Sequence, residues 1–235
     1  MAVIFCSVEG SAATAPSDTL LLYCERLGPG LWAEPLNAVS NAAFFAAALA
    51  AFLRWRQAGG RDVPSLLLIL VVVAIGVGST IFHTIATRRA LLADIVPIAV
   101  FIAGYLLLAC RRYLRLGLAV SVAVLAAFEF VSFGLPKAVP TDLFNGSVSY
   151  LPAFAMMAGL AAVVQTRARR AAAPETAAAR MLWLATGLFS ISLLLRSLDI
   201  VLCPLFPLGT HFAWHCLNAA MLYVLLRAAI DWPRE

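Results

Sequence analysis

The chain has 235 residues, 63% of them hydrophobic and only 12% charged, with a mean hydropathy of +0.94. Soluble domains run roughly 45–50% apolar and about 25% charged, so a soluble fold is excluded, and the wealth of Leu, Ala, Val and Phe excludes disorder. The same balance excludes a nucleic-acid partner, although the net charge is +5 and the pI is near 9.2.

Met1–Pro16 lacks a basic n-region, and its apolar stretch Ala2–Cys6 is too short for a signal peptide. It reads as part of an external segment, residues 1–34, ahead of a single membrane domain over 35–235. Seven apolar runs follow, bounded by Pro, Gly or Arg: Pro35–Trp55, Pro64–Ile85, Leu91–Cys110, Leu114–Phe133, Val148–Gln165, Met181–Cys203 and Thr210–Ile230. Each is 18 to 23 residues long and none alternates with period two. Backbone amides in hydrocarbon must be satisfied internally, so the runs are expected to be transmembrane helices and the fold all-α and polytopic. The Ala-rich stretch Arg170–Arg180 is expected to be a connecting loop.

The loops after the first, third and fifth helices and the C-terminal end hold 12 basic residues, against four on the other side. The positive-inside rule then places the N-terminus outside and the C-terminus in the cytoplasm. Sixteen Arg to one Lys, with Ala-rich helices, suggests a bacterial inner membrane.

Polar residues inside a bilayer are costly and therefore informative. With this orientation His83, Ser79, Asp94, His211, His215, Glu129, Asp199, Asn37, Ser40 and Asn41 all fall in one layer near the outer boundary. His211 and His215 are four apart, so both imidazoles leave one helix face. Three histidines, with His83 from the second helix, would supply three nitrogens to a zinc ion and leave its fourth position for water, the catalytic arrangement. Ser79 shares the face of His83, and Asp94 returns to the same place after a short turn, Thr87–Ala90. Asp94 can serve as general base and acid, and Ser79 can donate to an oxyanion or pack with Gly76 and Gly78. Arg196 and Asp199, i and i+3, read as a neutralising pair that Glu129 can join. Asn218 reads as a partner of Asn41 or of a ligand's second nitrogen.

Glu34-Pro-Leu-Asn37-Ala-Val-Ser40-Asn41, Gly78-Ser79-Thr-Ile-Phe-His83, Leu91-Leu-Ala-Asp94 and Thr210-His211-Phe-Ala-Trp214-His215-Cys-Leu-Asn218 together resemble the alkaline ceramidase family of seven-helix hydrolases. The resemblance covers essentially the whole chain from about Tyr23. It implies hydrolysis of the amide of a ceramide-like membrane lipid, with zinc on His83, His211 and His215, Asp94 activating water and Ser79 assisting the oxyanion. It also implies a calcium site ahead of the first helix, for which Glu25, Glu34 and Asn37 are the available ligands. Calcium takes six to eight oxygens, whereas Leu22 and Leu27 stand where oxygens are expected. The competing reading is that the carboxylates cap the first helix. Cys24 and Cys203 both fall at the outer face, where oxidation is possible, and the resemblance favours a disulfide between them. Cys6 is the competing partner. Two alternatives remain at this stage: a lipid ester hydrolase with the same zinc site, and a non-enzymatic receptor or sensor with structural zinc.

Overall fold

A computed structural model describes residues 18–140, 143–168 and 173–233. Among them there are helices and turns and no strand. The helices are α1 (Pro35–Ser40), α2 (Ala42–Gln57), α3 (Val63–Ile85), α4 (Arg88–Arg112), α5 (Leu118–Ala138), α6 (Leu151–Ala168), α7 (Ala173–Leu202) and α8 (His211–Ile230), with a 3-10 turn at Ser147–Tyr150. α1 and α2 make one span, interrupted at Asn41. There the Ser40 hydroxyl and the Asn41 amide both donate to the Asn37 carbonyl, at 2.9 and 3.0 Å, and compete with the helical ladder. Counting α1–α2 as one, seven helices among the described residues are long and apolar enough to cross a membrane.

The bundle has two chemically different ends. At one end Arg112 forks onto both oxygens of Asp62, each at 2.8 Å, and donates to the Ala229 carbonyl at 2.6 Å. That clasp ties the start of α3 to the last turns of α4 and α8. At the other end lie the C-terminus of α3, the N-termini of α1, α4 and α8, and residues 18–34, which fold back across the bundle with Tyr23, Cys24, Glu25 and Arg26 buried. Between the ends runs an apolar core from Phe44, Leu68, Val72, Phe101, Leu182, Leu222 and Leu226. The outward faces carry large exposed apolar side chains such as Leu67, Leu70, Val100, Val131, Leu184 and Leu194, which hydrocarbon would solvate. α5 is the most peripheral span, with almost none of its residues buried.

Three expectations of the sequence need correction. The stretch 173–180 is helical rather than a loop, so α7 begins eight residues before Met181. Alanine is the best helix former and Glu175 sits in the first turn, where negative charge is favoured. α5 starts at Leu118, not Leu114, because the chain turns through a left-handed Arg115 (φ 53°) and Gly117 caps the helix. The turn before Asp94 is shorter than Thr87–Ala90. Ala86 ends α3 in the left-handed region, and the Thr87 hydroxyl accepts from the Ala90 amide at 3.3 Å, so α4 begins at Arg88. Cys6 and the rest of 1–17 lie outside the described residues, as do Arg169, Arg170 and Arg234.

Candidate metal centre

The close approach of α3 and α4 begins with one proline. Pro97, inside α4, has no N–H to donate to the Ala93 carbonyl one turn earlier, which leaves that oxygen outside the ladder. Gly78 of α3 faces this carbonyl so closely that a Cβ there would overlap it. The contact sets Ser79 and His83 of α3 beside Asp94 of α4. His83, Ser79, Arg196 and Glu34 are among the groups near enough to act on the Asp94 charge. Asp94, Ser79 and His83 are all buried.

α8 is positioned by a residue whose sequence spacing suggests another role. Asp199 does not pair with Arg196. One of its oxygens accepts from the Thr210 and His211 amides, at 2.7 and 2.9 Å, and the other from the Cys24 amide at 3.0 Å. A single buried carboxylate thus satisfies the first amides of α8 and pins the N-terminal segment to it. Gly209 makes this possible: its φ is +65°, and a Cβ would run into Asp199 and Cys24. The sulfurs of Cys24 and Cys203 are joined beside this contact, at 2.09 Å. Glu129 makes no ion pair among the described residues.

With α3 and α8 fixed, His83, His211 and His215 converge. All three are buried, and one nitrogen from each lies within 4.8 Å of the others. This is the one group of histidine, cysteine or acidic residues with metal-holding geometry among the described residues. Hydrogen bonding on the far side of the rings decides which lone pairs face inward. His83 donates from Nδ1 to Glu34 Oε2, which makes Nε2 the lone-pair nitrogen, and Nε2 is buried with no partner. The Ser40 hydroxyl spends its only proton on the Asn37 carbonyl, so at 2.7 Å it accepts from His215 Nδ1, and His215 Nε2 is again the lone-pair nitrogen. His211 Nδ1 is also buried without a partner. Buried unpaired nitrogens are costly; a divalent ion of zinc's ligand preference removes that cost for His83 and His211 and can also take the lone pair of His215. The residues present fit such an ion.

Glu34 is the hub behind the site. It accepts from His83, from the Arg26 guanidinium, and from Asn37 Nδ2 at 3.0 Å. Burial works against its ionisation, but the bonds from His83, Arg26 and Asn37 prevail and hold its carboxyl below the usual range. Arg26 also donates to the Gly28, Gly30 and His83 carbonyls, at 3.3, 3.2 and 2.9 Å. Its guanidinium therefore fills the oxygen-lined place ahead of the first span. Glu25 caps α1, its two oxygens accepting from the Leu36 and Asn37 amides at 2.7 and 2.8 Å. Of the three residues expected to bind calcium, only Asn37 keeps a free oxygen, Oδ1. Calcium's six to eight ligands are not assembled here.

Tyr23 closes the centre from the N-terminal segment. Its ring stacks on His211, with centroids 3.6 Å apart, and burial pushes its phenol well above the usual range. Sequence reasoning misses Tyr23 and Arg26 and gives Asp199 the wrong partner. No periodicity marks the first two, and the i,i+3 spacing of Asp199 from Arg196 suggests a pair that does not form. Asn218 is buried but makes no bond to Asn41; the second nitrogens of His83 and His215 are served by Glu34 and Ser40 instead.

No curated protein matches the chain. One family model does, over residues 23–231, which takes in every residue of the centre and all seven spans. By that match the chain belongs to the ceramidase family.

Proposed function

We propose that the protein is a zinc-dependent amidohydrolase that cleaves ceramide-like lipids into a sphingoid base and a fatty acid. The observation that carries this reading is the convergence of three buried imidazoles, two of them oriented by dedicated partners, beside a buried carboxyl in a chain of the ceramidase family. When bound, zinc would polarise the amide carbonyl and lower the pKa of a water at its open position. Asp94 takes the proton of the attacking water as general base and returns it to the leaving nitrogen as general acid. One water is consumed: its oxygen ends on the acyl carbon and its proton on the amine. Ser79, one turn before His83 on α3, donates its hydroxyl proton to the carbonyl oxygen as negative charge builds there. Glu34 and Ser40 hold His83 and His215 in the tautomers that turn Nε2 inward.

The distribution of charge supports an external catalytic end. Arg54, Arg56, Arg61, Arg111, Arg112, Arg167 and Arg227 all belong to the opposite end, which the positive-inside rule assigns to the cytoplasm. A lipid amide lies near the membrane interface, at the depth of the first turns of α4 and α8. The same distribution and the Arg-rich composition support a bacterial inner membrane as the location. Purified protein is expected to release fatty acid from ceramide, and Asp94→Asn to lose about 10²-fold or more of that rate. A wild type that contains zinc and cleaves no ceramide would overturn the reading, as would an Asp94→Asn variant of full activity.

A further inference from the structure

Arg196 of α7 lies within electrostatic reach of Asp94 on α4 but is held by no carboxylate among the described residues. The guanidiniums of buried Arg26 and part-buried Arg112 are paired with Glu34 and Asp62. Arg196 has no ion pair among the described residues, although it lies within a spanning helix, where an ionic side chain is expensive and marks function. Asp199, its nearest acidic neighbour along α7, is committed to the amides of Cys24, Thr210 and His211.

Aromatic rings surround the cation instead. The guanidinium carbon lies 5.6 Å from the Tyr23 ring centre, 5.5 Å from that of Tyr150 and 5.3 Å from that of Trp214. Two of these walls belong to the metal centre as well. Tyr23 stacks on His211, and the Trp214 ring lies within 17° of parallel to His211, with centroids 6.4 Å apart. Nη1 donates to the Tyr23 hydroxyl at 3.1 Å. Nε is buried with no partner, and Nη2 makes no hydrogen bond among the described residues. The free edge of the guanidinium is therefore the Nε–Nη2 side, two parallel N–H donors whose spacing matches the two oxygens of a carboxylate or phosphate. A neutral hydroxyl offers one oxygen and so can satisfy only one of the two donors.

We propose that Arg196, caged by Tyr23, Tyr150 and Trp214, is a head-group subsite that binds an oxyanion carried by the lipid on the amine side of the scissile amide. Preferred substrates are then ceramide-like amides with an anionic head group. The inference rests on the amidohydrolase reading for its placement relative to the scissile bond, but the binding it describes does not depend on turnover.

The test uses the full chain in phosphatidylcholine nanodiscs and two matched pairs of ligands. Ceramide is compared with ceramide 1-phosphate of the same acyl chain, and N-palmitoylethanolamine with N-palmitoylglycine. Binding is followed by tryptophan fluorescence and hydrolysis by fatty-acid release. The charged member of at least one pair is expected to bind about tenfold tighter or better, and the pair that shows it tells phosphate from carboxylate. Arg196→Gln is expected to remove the preference. Arg196→Lys, which keeps the charge and loses the fork, is expected to lose most of it, and serves if the Gln variant does not fold. Equal binding within both pairs, or a preference that survives Arg196→Gln, would overturn the subsite. Absence of hydrolysis of all four lipids with the binding preference intact would overturn the amidohydrolase reading and leave the subsite standing.

Discussion

Replacing Gly78 by alanine tests whether the approach of α3 to α4 sets up the chemistry. The Ala93 carbonyl occupies the space that the new methyl needs. Unstrained carbon contacts lie near 3.5 Å, so the helices must part by about 1 Å or more. The acceptor is backbone and cannot swing aside as a side-chain end would. Overpacking of this kind costs about 1–3 kcal/mol, which lowers the thermal midpoint. The larger effect is on rate: a displacement of about 1 Å between Asp94 and the Ser79–His83 face costs about 10²-fold. His83 rides on the displaced α3 while His211 and His215 stay on α8, so zinc is expected to be held more weakly as activity falls. Gly159→Ala, in α6 with open space where its new methyl would project, is the control and is expected to keep both stability and activity. Fatty-acid release and a thermal melt on the two variants decide the matter. A Gly78→Ala protein with wild-type rate and midpoint would refute the reasoning.

Glu34→Gln leaves the buried Arg26 guanidinium without its carboxylate and turns one of two acceptor oxygens into a donor, so Arg26 and His83 compete for the one that remains. About 3–5 kcal/mol of stability is expected to go, with zinc held about 10–100-fold more weakly in a chelator competition; unchanged affinity would contradict the role given to Glu34. Ser40→Ala removes only the partner of His215 Nδ1 and is expected to weaken zinc by about tenfold, with little change in the melt. Asp62 is buried, which opposes its ionisation, yet the bonds from Arg112 and Ser65 hold its carboxyl below the usual range. Its contribution is therefore complete above its unfolded pKa of about 3.9 and fades as pH falls towards the lower native value. The gap in thermal midpoint between wild type and Asp62→Asn is expected to be widest at neutral pH and to close in acid; a constant gap would argue against the clasp. Alkylation of Cys24 and Cys203 is expected only after reduction, whereas exposed Cys216 reacts without it. A different reduction-sensitive pair would displace this assignment.

Much of this is legible in the sequence because the bilayer simplifies the code. Where the solvent is apolar, seven long apolar runs can only be helices, and each polar residue among them stands out. Depth and four-residue spacing single out the histidines, Ser79 and Asp94 in that way. What escapes a sequence reading depends on contacts remote in the chain. Asp199 caps a helix that begins twelve residues later and also holds Cys24, a bond between residues 175 apart. Arg26 reaches the His83 carbonyl across 57 residues. Glu34 is conspicuous, but its acidity suggests calcium, because nothing local shows that Arg26 supplies the positive charge. The start of α7 is hidden because arginines and a proline look like loop punctuation, while the alanines between them carry the helix.

Metal analysis of the purified wild type beside His211→Ala, with fatty-acid release measured on the same samples, bears most directly on the centre. About one zinc per chain is expected in the wild type, with both metal and activity lost in the variant. Wild-type protein that cleaves ceramide with no bound metal, or a His211→Ala variant that keeps its zinc, would contradict the account.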